Sequence, residues 1–318
     1  MPKEQSELTS NTERIIHADS GLNLQKELEA ALESGCTTLV LEGEFRASHE
    51  NQFTLLRIPR RKSIKIIGKN GATFDGKGVA HILFIAEGAS VEVYGVEFKN
   101  GDTSNTKAIL SKSNHPKESL NIFRYVDGGA VSVGEGSMAR FTHCSFSNNN
   151  AHICGGAISN MGGHVEVHNC LFEGNSCGDT GAAIDNLVAG SLLVVSGCHF
   201  KANKANAIGG GSYGAITVFP GTFAFISECD FTEETGVAID HTDLSNVTMR
   251  GNLFNEEVVN SVVINPIHSR GVRRKILTRY ALLLAKRLRH INKLERVPVR
   301  SREVAERHRD LYLALLSN

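Results

Sequence analysis

Residues 155–175 of this chain read GGAISNMGGHVEVHNCLFEGN, and the same order of residue types returns on both sides of this stretch. A small residue and a branched residue stand together five times, and a phenylalanine follows each pair about fifteen positions later. The pairs are Ala130-Val131, Ala157-Ile158, Ala183-Ile184, Ala215-Ile216 and Ala238-Ile239, and the phenylalanines are Phe146, Phe172, Phe200, Phe231 and Phe254. A repeat of roughly 20 to 50 residues indicates stacked units that need neighbours to bury their apolar faces.

Each repeat has the pattern of short strands rather than of helices. Apolar residues alternate with others in Val165-Glu166-Val167-His168 and again in Phe223-Ala224-Phe225-Ile226, and the segments between are rich in Gly, Asn and Ser. Successive phenylalanines lie 26, 28, 31 and 23 positions apart. A coil of strands accepts such unequal lengths, whereas a propeller blade needs about 40 residues or more. The repeat therefore predicts a parallel β-helix.

Side chains on the same side as the phenylalanines are expected inside the coil. The residue two before four of them is a cysteine: Cys144, Cys170, Cys198 and Cys229. Packing is favoured over a zinc site or disulfides because no C-x-x-C pair is present. An asparagine column at a corner (Asn149, Asn175 and Asn203) and corner glycines (Gly128, Gly155, Gly181 and Gly214) fit the same stacking.

The repeat also resembles a known family. Gly155-Gly156-Ala157-Ile158 with Phe172-Glu-Gly-Asn175 is similar to the repeats of the polymorphic outer membrane proteins, whose passenger regions are right-handed β-helices linked to adhesion. The same motifs occur in the broader pectate-lyase-like superfamily. The resemblance covers residues 128–257 and implies an all-β, single-stranded right-handed parallel β-helix.

The amino-terminal region divides into a polar tail, residues 1–20, and a capping helix at the start of the coil, which spans residues 21–267. Leu24, Leu28, Ala31 and Leu32 share one helical face, and Gly35 is placed to end the helix. Residues 1–15 contain no apolar signal core, so cytoplasmic localisation is the default expectation, with export by another route left open.

The carboxy-terminal extension, residues 268–318, differs from the rest. It holds 14 Lys and Arg against 4 Asp and Glu, although the whole chain is neutral. Apolar residues at helical spacing and Pro298 predict a basic helical hairpin. One interpretation is binding of nucleic acid or an anionic membrane through residues such as Arg273, Arg274, Lys286 and Arg287. The favoured interpretation is that its leucine face caps or flanks the coil while its basic face pairs with the acidic body. No stretch is apolar for the ~18 residues that a membrane span needs.

Catalysis would require acids on one face of the coil. The residue after each small-branched pair forms a polar column that is expected to face solvent: Ser132, Ser159, Asp185, Thr217 and Asp240. Asp185 and Asp240, two rungs apart, would be roughly 9.6 Å apart, near the upper limit used by inverting glycosidases. With His241 they are the candidate catalytic residues, and Ser159, Asn160, Asn186 and Asp243 are candidate binding residues. The segment from Val237 to Ser245 resembles a pectate-lyase stretch whose Asp helps to bind calcium.

Two functions remain open. The first is a non-catalytic binding or scaffold protein that presents an extended polar face to a polysaccharide or a protein surface. The second is a polysaccharide lyase or glycoside hydrolase that acts on an acidic glycan through Asp185 and Asp240. Calcium is expected only in the case of a lyase, and no other cofactor is indicated.

Overall fold

The structure, a computed structural model, describes residues 12–18, 22–48, 54–104, 127–206, 214–243 and 245–265. These residues form an all-β, right-handed parallel coil of about eight turns with one short helix near the amino terminus. The predicted fold class is therefore confirmed. The predicted helical hairpin in residues 268–318 lies outside the described residues.

The elements follow one another in short steps along the chain. The first are β1 (Glu13–His17), α1 (Leu24–Glu33), β2 (Thr38–Arg46), β3 (Thr54–Ile58), β4 (Ser63–Asp75), β5 (His81–Ile85), β6 (Ser90–Tyr94), β7 (Glu97–Lys99), β8 (Val131–Val133), β9 (Met138–Thr142), β10 (Ser145–Ser147), β11 (Asn150–Ala151), β12 (Ile158–Asn160) and β13 (His164–His168). They continue with β14 (Leu171–Glu173), β15 (Ser176–Cys177), β16 (Ile184–Asn186), β17 (Leu192–Ser196), β18 (His199–Lys201), β19 (Lys204–Ala205), β20 (Ile216–Val218), β21 (Phe223–Ser227), β22 (Asp230–Glu233), β23 (Ile239–Thr242), β24 (Asn246–Arg250), β25 (Leu253–Phe254) and β26 (Val262–Asn265).

Three faces surround the core. Face 1 consists of β6, β9, β13, β17, β21 and β24, and face 2 consists of β7, β10, β14, β18, β22 and β25. The long strand β4 contributes to both, so the two faces belong to one 15-stranded sheet. Face 3 is the eight-stranded sheet of β3, β5, β8, β12, β16, β20, β23 and β26. All pairings among these strands are parallel, as a coil requires.

The predicted phenylalanines form one stack through the core. Their rings lie nearly parallel, with centroids 4.8 Å apart for Phe146 and Phe172 and 4.9 Å apart for Phe172 and Phe200. Phe98 extends the stack by one rung before the region in which the repeat was recognised. This spacing equals the distance between neighbouring strands, so identical side chains in successive rungs contact face to face.

The cysteine ladder is also confirmed as buried. Cys144, Cys170, Cys198 and Cys229 are at most 3% exposed. The backbone N–H of Cys144 donates to the Sγ of Cys170, and the N–H of Cys170 donates to the Sγ of Cys198. Hydrogen bonds with both neighbouring thiols, together with burial, raise the pKa of Cys170. The ladder cysteines therefore act as packing groups whose sulfur atoms also accept backbone hydrogen bonds.

The asparagine column occupies a corner of the coil as predicted. The side-chain amide of Asn175 donates to the carbonyl of Phe146 at 2.9 Å and to the Oδ1 of Asn203 at 2.9 Å. Each asparagine thus satisfies the backbone of one rung and the side chain of the next. Among the predicted corner glycines, Gly128, Gly155 and Gly181 have positive φ, whereas Gly214 does not.

The amino-terminal end of the coil is covered. Helix α1 begins after Asn23, whose side chain accepts a hydrogen bond from the N–H of Lys26, and it buries Leu24, Leu28 and Ala31. Residues 13–17, which the sequence analysis assigned to a polar tail, form β1 and pair with β2 because Ile16 is apolar and packs into the core. No helix in the described part of the chain is long and apolar enough to cross a membrane.

Candidate functional site

The polar column that includes the candidate acids lies on face 3. The strand register aligns Ser132, Ser159, Asp185, Thr217 and Asp240 in successive rungs, as predicted. The expectation that the column faces solvent is wrong, because every member is buried, with exposed fractions between 0 and 3%. The alternation of inward and outward side chains along the strands was predicted correctly, but the outer side of face 3 is covered.

The glycine turn that precedes each strand accounts for part of this cover. A Cβ on Gly181 would lie 2.8 Å from the Cβ of Asp185, and a Cβ on Gly155 would lie 3.0 Å from the Cα of Ser159. The chain therefore turns back tightly across the outer side of the strand that it is about to enter. Only glycine, with positive φ and no side chain, permits this approach.

Asp240 is held in a polar but buried environment. Its Oδ1 accepts hydrogen bonds from the Oγ1 of Thr217 at 2.5 Å and from the N–H of Gly214 at 2.7 Å. Burial raises the pKa of Asp240 to about 7, and the charge of Asp179 adds to the rise while the two hydrogen bonds oppose it. The same acidic surroundings act on Cys177, whose pKa is raised mainly by burial.

The other candidate residues divide between structural and exposed positions. Asn160 and Asn186 are buried, and the Nδ2 of Asn160 donates to the Oδ1 of Asn186 at 2.9 Å. His241 is partly exposed, and its Nδ1 lies 3.0 Å from the carbonyl of Thr242, while Asp243 is exposed in the turn that follows. The candidates Arg273, Arg274, Lys286 and Arg287 lie outside the described residues. Their roles stay predictions, as does that of Ser159.

A metal site is not formed by the side chains that are described. Among those residues, no three His, Cys, Asp or Glu side chains are grouped so that they could hold an ion. The expectation of calcium therefore rests on the sequence resemblance alone.

A concave surface of the described chain lies elsewhere, at the corner between faces 1 and 2. This groove has a volume of about 510 Å³ and is open to solvent along its length. It is lined by the same three corner positions in four successive rungs and by the first and third of them in a fifth: Gly71, Ala72 and Thr73; Gly95, Val96 and Glu97; His143, Cys144 and Ser145; Asn169, Cys170 and Leu171; Gly197 and His199. Four rung spacings give it a length of roughly 19 Å.

Backbone conformation makes this corner concave. Gly71, Gly95, His143, Asn169 and Gly197 all have positive φ, so the chain bends sharply at the same point in each rung. Three of the five are glycines, which leave space where a side chain would otherwise project. The groove floor is therefore built from backbone and small residues, and its walls are built from the first outward residue of each face 2 strand.

The groove walls carry hydrogen-bonding groups, and an exposed aromatic ring lies beside them. Tyr94 is 47% exposed, and its ring meets the ring of His143 edge to face at a centroid distance of 5.4 Å. The Oγ1 of Thr73 donates to the carboxylate of Glu97 at 3.0 Å. His199 lies between Asp230 and Glu233 of the next rung, at 3.3 and 3.0 Å. These contacts fix the orientation of several wall side chains before any ligand arrives.

Sequence reasoning missed this groove, although the repeat contained a signal for it. The residue immediately before each ladder cysteine is His143, Asn169, Gly197 or Glu228, and all four have positive φ. A column of residues with positive φ marks a sharp corner of the coil. Whether such a corner is concave depends on the side chains of two faces, which the repeat does not specify.

Face 1 changes character along the coil. Near its middle, Arg140 pairs with Glu166 of the next rung at 2.6 Å and with Glu92 of the preceding rung at 3.7 Å. On β21 the outward positions are apolar instead, and Phe223 and Phe225 are 44% and 49% exposed. The partners of these phenylalanines on β17 are Leu192 and Val194.

Comparison with known proteins gives one family match. The model of the right-handed beta helix region matches residues 81–254, which is more than half of the chain and includes every strand of the groove after β4. No curated protein and no solved structure matches the chain.

Proposed function

The chain belongs to the right-handed β-helix family, and we propose that it is a non-catalytic binding protein whose corner groove holds an extended carbohydrate chain. The observation that carries this proposal is the repetition of equivalent lining positions across five rungs. A linear polymer laid along the coil axis meets an equivalent corner every ~4.8 Å. A compact ligand would use only part of such a surface.

The shape of the groove favours a polymer over a small molecule. Small-molecule sites enclose most of the ligand surface. This groove is shallow and open along its length, so a chain can enter it from the side and extend beyond both ends. Binding energy would then accumulate from many weak contacts rather than from one enclosed pocket.

The chemistry of the lining favours sugar hydroxyls. Hydroxyl groups both donate and accept hydrogen bonds, and Ser145, Asn169, His143 and His199 offer both kinds of partner. The exposed ring of Tyr94 adds an apolar surface with a polar end beside them. The described lining contains no Lys or Arg to neutralise phosphates, so nucleic acid is disfavoured as an occupant.

The hydrolase alternative has less support. Glycoside hydrolysis generally uses two carboxylates on either side of the scissile bond. Among the described lining residues, Glu97 is the only acid, and Asp185 and Asp240 are buried on face 3. The sequence also left open a protein surface as the ligand. Binding to polysaccharides separates that possibility from a carbohydrate ligand.

A matched pair of substitutions tests the proposal. Ser145 and Ser147 both point outward from β10, but only Ser145 lines the groove. Against a panel of neutral and acidic polysaccharides, we expect the full-length protein to bind at least one, Ser145→Trp to lose at least about tenfold in affinity by filling the groove, and Ser147→Trp to bind normally. Absence of binding to every glycan, or equal binding by both variants, would show that the groove is not a carbohydrate site.

A further inference from the structure

The last rung of the coil exposes side chains that the preceding rungs bury. Ile226 is 1% exposed, but its partner in the next rung, Met249, is 37% exposed. Phe231 is fully buried, whereas its partner Phe254 is only partly buried and its ring has moved to a centroid distance of 5.5 Å. The cause is geometrical, because no further rung lies below these residues in the described part of the chain.

Face 3 ends in the same way. Ile239 is fully buried, and its partner Val262 is partly buried. Ile264, in the register of the inward Val218 two rungs above, is 58% exposed. β24, β25 and β26 are the last strands of their faces within the described residues, so their outer backbone edges meet the same surface. We define this surface, Met249, Phe254, Val262, Ile264 and the edges of β24 to β26, as the open end.

The two ends of the coil therefore differ. At the amino-terminal end, α1 buries Leu24 and Leu28 against the core. An uncovered end with apolar side chains and strand edges promotes association with other chains. A covering element is as necessary at the open end as it is at the other.

We propose that the carboxy-terminal segment, residues 266–318, is the element that covers the open end, through an apolar stripe that includes Leu284 and Leu288. The described chain reaches Asn265 in β26, one of the three strands that form this surface, so the segment starts where it is needed. A second copy of the chain would have to compete with a tethered segment at high effective concentration.

Charge supports the same occupant. Residues 268–318 hold 14 Lys and Arg against 4 Asp and Glu. Glu256 and Glu257 are exposed in the turn between β25 and β26, beside the open end. The basic side of the segment can lie over these carboxylates while its leucines contact Met249 and Phe254. The inference is independent of the carbohydrate groove, which lies at a different corner of the coil.

Hydrogen exchange on the full-length protein tests the proposal. In Leu284→Ser/Leu288→Ser, we expect the amides of β24 to β26 to exchange about tenfold faster or more, while those of β9 and β10 keep their protection. The matched control, Arg287→Ser/Arg289→Ser, removes two charges and no leucine, and it should leave the exchange of β24 to β26 close to that of the unmodified chain. Unchanged exchange in the leucine variant would overturn the proposal.

Cross-linking decides the case in which the leucine variant does not fold. Ile264→Cys with Leu288→Cys introduces two thiols into a protein whose seven own cysteines are buried. A short bismaleimide should join them within one chain. Cross-links only between chains, with protection of β24 to β26 that rises with protein concentration, would identify a second copy as the occupant and refute the intramolecular one. Absence of any cross-link would also refute it.

Discussion

The side-chain amide of Asn203 donates a hydrogen bond of 2.5 Å to the carboxylate of Glu234, and this pair ends the ladder of amides inside the coil. Glu234 stands three residues after Phe231, at the position that asparagine occupies in the three preceding rungs. It also accepts hydrogen bonds from the backbone N–H of Asn203 at 3.1 and 3.3 Å. A buried acid thus replaces a neutral amide at the end of the column.

This replacement predicts a pH dependence of stability. Burial raises the pKa of Glu234 to about 7 from 4.5, although the hydrogen bonds from Asn203 oppose the rise. The folded state therefore binds the proton more tightly than the unfolded state does. The contribution is fully present below pH 4.5 and is lost as the pH rises through about 7. At 1.36 kcal/mol per pKa unit, the loss is on the order of 3 kcal/mol.

Glu234→Gln should remove this part of the pH dependence because the amide stays neutral throughout. Urea unfolding of the two proteins between pH 4.5 and 8 measures it. The exposed Glu228→Gln is the control and should leave the profile unchanged. Parallel profiles for the unmodified protein and Glu234→Gln would contradict the assignment.

The amide ladder itself should be essential to stability. Asn175 donates to the carbonyl of Phe146 and accepts from both the N–H and the side-chain amide of Asn149, at 3.1 and 2.9 Å. Asn175→Ala leaves these buried groups without partners, each at a cost of about 1 to 3 kcal/mol. We expect a loss of about 3 kcal/mol or more in the free energy of unfolding, measured by chemical denaturation.

Asn246→Ala is the matched control for the ladder. Asn246 is exposed at the start of β24, so its substitution should change stability by less than about 0.5 kcal/mol. Equal effects of the two substitutions would mean that the ladder contributes no more than a surface amide.

The phenylalanine stack allows a comparison within one residue type. Phe172 is fully buried between Phe146 and Phe200, whereas Phe225 is 49% exposed on face 1. Phe172→Ala opens a cavity in the centre of the coil and should cost about 3 to 5 kcal/mol. Phe225→Ala should cost far less. Thermal unfolding of both variants measures the difference, and similar melting temperatures would contradict the assignment of Phe172 to the core.

The interior of this coil was predictable because it is periodic. Inward side chains such as Cys170 and Phe172 contact their equivalents in neighbouring rungs, so spacing in sequence translates directly into contact in space. The outer side of face 3 was not predictable in this way. Whether Asp185 reaches solvent depends on the turn at Gly181, which crosses the strand from outside. The groove was not predicted for a related reason, because the side chains of two faces together set its depth.

The last prediction separates binding from catalysis. The unmodified protein, incubated with neutral and acidic polysaccharides with and without calcium, should yield neither new reducing ends nor unsaturated products. The reason is that Asp240 is 3% exposed and its Oδ1 already accepts hydrogen bonds from Thr217 and Gly214, so the carboxylate is engaged in the fold. Asp240→Asn should keep both hydrogen bonds and should bind glycans as the unmodified protein does. Products that appear with the unmodified protein and disappear with Asp240→Asn, while Ser145→Trp retains them, would establish a lyase or hydrolase on face 3 instead.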